Sequence, residues 1–97
     1  MMKQAPKVEV IEVDGEGLVS MFGKQVEVRC AGYIYAGILV GVNTNYIKLD
    51  RMAIVYETGP FGDAKYKDAQ IVGDSQYVMA GAIESFGECT KTYPGRD

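Results

Sequence analysis

The chain has 97 residues and a net charge of −3, from ten Lys/Arg against thirteen Asp/Glu. That length fits one domain with a thin core, burying about 60–65% of the surface its unfolded form exposes. With 47% apolar and 24% charged residues the composition is that of a folded globular chain, and the acidic balance excludes the broad basic footprint that binds duplex DNA.

Val8-Glu9-Val10-Ile11-Glu12-Val13 alternates as an extra N-terminal strand would, and Asp14-Gly15-Glu16-Gly17 ends it. The start MMKQAPKVEV lacks the apolar core of a signal peptide, and no run approaches the about 18 apolar residues of a membrane span, so a cytoplasmic protein is expected. Cys30 and Cys89 lack the close, even spacing of a disulfide scaffold and are expected as reduced thiols.

Leu18, Met21 and Phe22 follow i, i+3, i+4 spacing, which predicts one helical turn ended by Gly23. From Lys24 the period becomes two: Val26, Val28 and Cys30 face one way and Gln25, Glu27 and Arg29 the other. After the Ala31-Gly32 turn, the run from Tyr33 to Val42 is β-branched and aromatic with glycines at 37 and 41. Glycines inside a strand mark bends or bulges, so this strand is expected to bend hard enough to serve two sheets, with Tyr35, Gly37, Leu39 and Gly41 on one face.

Asn43-Thr44-Asn45 makes the next turn, and a long strand follows from Tyr46 to about Tyr56. Residues 57–63 are turn-forming, Tyr66 to Val72 returns as the other arm of a long hairpin, and Gly73-Asp74-Ser75 turns again. Two short strands, Tyr77 to Ala80 and Ala82 to Phe86, flank Gly81, and residues 87–97 read as a flexible tail beyond a core of about 18–86. The expected fold is all-β with one short N-terminal helix: a small, strongly bent, five-stranded SH3-like barrel forming a single domain.

The ordered set Leu18, Gly23, Lys24, Val26, Val28, then Gly32, Tyr35, Gly37, Leu39, Gly41, Val42 and Asn43 without a gap, then Ile47 and Leu49, resembles the Sm-like proteins, which include the Sm and Lsm proteins and the bacterial RNA chaperone Hfq. The resemblance covers Leu18 to Phe86 and implies an Sm-like barrel whose copies join edge to edge into a homo-oligomeric ring of about five to seven subunits. The fourth strand of one subunit would pair with the fifth of the next, which assigns Tyr77, Val78, Met79, Ala80, Ala82, Ile83, Glu84 and Phe86 to the interface. The alternative is that these strands close the monomer's own barrel.

The resemblance also implies single-stranded RNA near the pore, held by the loop Asn43, Thr44, Asn45 and Tyr46 and by the turn at Gly81. Amides read base edges and a tyrosine face stacks on bases, although Asn43 and Asn45 serve equally well as turn residues. The second loop departs from the family: Ala80-Gly81-Ala82 has neither the arginine followed by Gly-Asp-Asn nor the Lys-His pair of the bacterial branch. Lys48 and Arg51 are the cations near the first loop. A ring that binds protein and not RNA, as a structural or scaffolding module, is therefore the second expectation.

No enzyme is expected. The absence of histidine excludes Ser-His-Asp and Cys-His nucleophile systems and histidine-containing zinc sites, and no metal or cofactor is expected. Glu84, the single acid in an apolar strand, fits either the solvent side of an edge or a contact between copies.

Overall fold

The computed structural model describes residues 15–93. The alternating segment at Val8 to Val13 lies outside them, as do residues 94–97 of the expected tail. Within them a 3₁₀ turn (Leu18–Met21) precedes β1 (Gln25–Cys30), β2 (Ile34–Val42), β3 (Tyr46–Glu57) and β4 (Asp68–Met79), and a second 3₁₀ turn (Ala80–Ala82) leads into β5 (Ile83–Glu88). All five strands form one antiparallel sheet in the order β4-β3-β2-β1-β5. Among the described residues β4 and β5 are its two edges and do not pair with each other, so these five strands do not close the sheet. Among the described residues no helix is long and apolar enough to cross a membrane.

The first turn is 3₁₀ rather than α, which decides what it buries. With three residues per turn, Leu18 and Met21 eclipse and both pack on the core, while Phe22, expected to join them, stays 47% exposed.

β2 belongs to one sheet throughout, and its bend is built from strand irregularities. Between the row Ile38–Asp50–Ser75 and the row Ala36–Ala53–Ile71, β2 advances two residues, β3 three and β4 four. The strands therefore fan apart at this level. Gly37 lies at the centre of the fan, where a Cβ would meet the Asp50 carbonyl and Leu49 Cβ at 3.0 Å. Facing it, Arg51 adopts φ 50, the left-handed backbone that lets β3 take up its extra residue. A second irregularity between Leu39 and Gly41 returns Val42 to the core face, so Gly41 leaves the face it was expected to share with Leu39 and its hydrogen points at Lys48 Cβ.

The extra residue in β3 reverses which side chains face which way. Ile47 and Leu49 join Val26, Val28, Leu39, Met52 and Val78 in one buried cluster. Ala53 and Val55, beyond the bulge, join Ala36, Tyr66, Ala69, Cys89 and Tyr93 in a second cluster on the opposite side of the sheet. The sheet thus carries an apolar cluster on each face.

Two expectations are corrected here. Gly73-Asp74-Ser75 is not a turn: β4 runs unbroken from Asp68 to Met79, because β3 is long enough to pair with all of it. Nor are residues 87–93 a loose tail. Gly87 and Glu88 complete β5, and Cys89, Lys91 and Tyr93 are buried because the second cluster needs a cover that the 58–67 loop alone does not supply. The loop and this segment brace each other: Thr92 N–H donates to the Ala64 carbonyl at 2.8 Å, and Tyr66 N–H donates to the Thr92 carbonyl at 3.0 Å.

Candidate functional site

The loop between β2 and β3 is shaped by Asn43, whose side-chain oxygen accepts from the backbone N–H groups of Asn45 at 2.7 Å and Tyr46 at 2.9 Å. That bond pair is the Asx turn asparagine favours, so the Asn43 carboxamide oxygen is committed to the loop. Asn43, Thr44 and Asn45 are exposed at its tip. The Asn45 carbonyl accepts from Ala80 N–H at 2.8 Å, which brings this loop against the 80–82 turn. The two segments expected to act together, 43–46 and the turn at Gly81, are neighbours for that reason. Gly81 is exposed, with nothing within 4 Å of the place a Cβ would occupy.

Tyr46 is 38% exposed. Its ring meets Tyr77 edge-on, with centroids 5.0 Å apart at 82°, and the Lys48 ammonium lies 5.8 Å from the Tyr77 centroid. The register Tyr46↔Met79 and Lys48↔Tyr77 puts these four side chains on one side of the β3–β4 ribbon, opposite Ile47 and Val78. Lys48 thus lies two residues along β3 from Tyr46, on the same side of the ribbon.

The residues assigned to an interface divide by face. Tyr77 and Met79 are 57% and 59% exposed, whereas Val78 is core. Ile83 packs against the first cluster, Phe86 opposes Val28 at the open edge, and Ala80 and Ala82 belong to the 3₁₀ turn. Glu84 is exposed; burial foremost, and then its negative charge, push the Cys30 thiol above its ordinary pKa.

A second constellation was not foreseen. Tyr66, 4% exposed, donates its hydroxyl to Glu27 at 2.6 Å and touches Cys89 Sγ at 3.0 Å. Arg29 pairs with the same Glu27 carboxylate. Burial first, then the bonds to Cys89 and Glu27, hold the Tyr66 hydroxyl far above its usual pKa. The side chains of Tyr66, Glu27 and Cys89 form a buried polar cluster that joins β1, the loop before β4 and the segment after β5. Lys91, 9% exposed, donates to the carbonyls of Pro60 and Asp63, both at 2.8 Å, and its ammonium lies 5.7 Å from the Tyr66 centroid.

The alternation Cys89-Thr90-Lys91-Thr92-Tyr93 was the sequence signal for this segment: large side chains at every second place read as an extended, half-buried strand. Glu27 carried no signal, because its neighbours in sequence say only that it faces away from Val26 and Val28. Among the described residues, no group of three or more Cys, Asp or Glu side chains is placed to hold a metal ion.

No protein-family model matches the sequence, and no curated protein matches it.

Proposed function

We propose that the chain is a divergent Sm-like protein: a strongly bent SH3-like barrel whose copies join edge to edge into a ring and hold single-stranded RNA near the pore through Asn45 and Tyr46, with Asn43 and Thr44 setting the loop and Gly81 facing it. The observation that carries this reading is the pairing of Ala80 N–H with the Asn45 carbonyl, since it joins the two loops at one end of a sheet whose outer strands, β4 and β5, each pair on one side only among the described residues. Amides and a tyrosine at such a place suit a splayed base. In this reading the cation missing from the 80–82 turn is replaced by Lys48.

A ring that binds protein instead is favoured by one observation: the 80–82 turn has no charged residue, in a chain of net charge −3.

The test is the mass of the purified protein by light scattering, with and without a short uridine-rich or adenine-rich RNA, at low and moderate salt. A ring that gains RNA, and loses it in Asn45→Ala and Tyr46→Ala while keeping its size, supports the reading. A ring that ignores RNA transfers it to scaffolding, and a monomer removes the assembly.

A further inference from the structure

Ile34 pairs with Val55, so the residues next to them, Tyr33 and Tyr56, come together where β2 begins and β3 nears its end. Both side chains are left to water, at 54% and 53% exposure, and both line a cleft of about 410 Å³ with Cys30, Ile34 and Val55. That volume falls in the range of small-ligand sites, about 300–1,000 Å³. The cleft lies at the opposite end of β2 and β3 from the 43–46 loop.

One wall of the cleft is held in place before anything binds. Cys30 N–H donates to the Tyr33 carbonyl at 2.9 Å, which closes the turn between β1 and β2. The Tyr33 ring leans on Tyr35, with centroids 6.1 Å apart at 43°, and Tyr35 in turn packs against the first cluster. A ring already supported in this way has less freedom to lose when a ligand arrives.

The charge around the cleft has one sign. Among the described residues none that lines it is a lysine or arginine, and Arg29, next to Cys30 in the chain, is engaged by Glu27 and Ser85. The nearby acid is Glu84. Ile83 pairs with Cys30 and Ser85 with Arg29, so Glu84 is the extra residue of a bulge in β5 opposite Cys30. Burial first, and then the Glu84 charge, push the Cys30 thiol above its ordinary pKa, which agrees with a carboxylate close to the cleft.

We propose that the cleft at Tyr33 and Tyr56 takes the guanidinium of an arginine side chain on a partner protein, with Glu84 as the counter-charge. A guanidinium is weakly hydrated and stacks on tyrosine faces, where the ring quadrupole is negative. A phosphate or carboxylate would instead be repelled by Glu84, which excludes a nucleic-acid backbone as the occupant. The site shares no residue with the 43–46 loop or the 80–82 turn and depends on neither the ring nor RNA.

The experiment titrates the isotope-labelled full chain with acetyl-Gly-Arg-Gly-amide and with its glutamine counterpart, followed by nuclear magnetic resonance and by the rate at which iodoacetamide alkylates Cys30. The arginine peptide should bind about threefold or more tighter than the glutamine peptide, shift residues 30–34 and 55–56, and slow the alkylation. Tyr33→Ala and Tyr56→Ala should each weaken it about threefold, whereas Tyr33→Phe and Tyr56→Phe, which keep the ring, should bind as wild type does. Equal binding of the two peptides overturns the proposal, and so does arginine binding that survives both alanine substitutions.

Discussion

Tyr66 donates its hydroxyl to Glu27 at 2.6 Å and touches Cys89 Sγ at 3.0 Å. Glu27 also pairs with Arg29. These contacts link β1 to the 58–67 loop and to the segment after β5, three parts of the sequence with no local reason to meet.

Replacing Tyr66 with Phe keeps the ring and removes the donor. Glu27 retains Arg29 but loses its buried partner, and Cys89 loses its contact with the hydroxyl, so the fold should weaken by about 1–3 kcal/mol. Chemical denaturation with an unchanged m-value checks this; an unchanged midpoint would show that water replaces the hydroxyl.

The same residue sets an alkaline limit. Its pKa is raised in the folded state by burial and by its bonds to Cys89 and Glu27. Below about pH 10 folded and unfolded chains both hold the proton and the contribution is complete. Above that the unfolded chain ionises first, so stability falls as pH rises. Wild type should therefore lose stability with pH more steeply than Tyr66→Phe, while the raised Cys30 and Tyr35 groups contribute to both alike. Parallel curves for the two proteins would contradict it.

Tyr93 is fully buried against the second cluster, and its hydroxyl donates to the Arg51 carbonyl at 3.1 Å. Tyr93→Ala should cost about 3–5 kcal/mol, a large share of the stability of so small a domain. A thermal midpoint close to wild type would mean that the segment after β5 contributes little.

Gly37→Ala adds one methyl where the sheet fans. It would press on the Asp50 carbonyl and Leu49 Cβ at 3.0 Å and on Met52 Cα at 3.3 Å, most of it backbone or its first side-chain atom. The expected loss is about 1–3 kcal/mol. Gly81→Ala, with open space around it, is the matched control and should differ little from wild type.

Alternation made β1 and the first half of β3 legible, because Val26, Val28, Ile47 and Leu49 occupy every second place and one face of each strand is buried. The bend at Gly37 was legible for a similar reason: glycine inside an apolar strand has few other uses. Asn43 was legible only as an ambiguity between turn and base reader, and its two backbone bonds assign its oxygen to the turn.

The sequence by itself determined the class of fold, the strand-forming runs, the loop at Asn43 to Asn45 and the lack of a histidine-based site, since these depend on local pattern and composition. Only the tertiary structure decided that Ala53 and Val55 belong to a second core, that Glu27 is buried, and that Cys89 to Tyr93 cover that core beside the 58–67 loop. The reason is that one left-handed residue, Arg51, shifts the parity of β3. A one-residue shift exchanges the faces of every side chain beyond it, and nothing in the local pattern announces where a strand will take that extra residue.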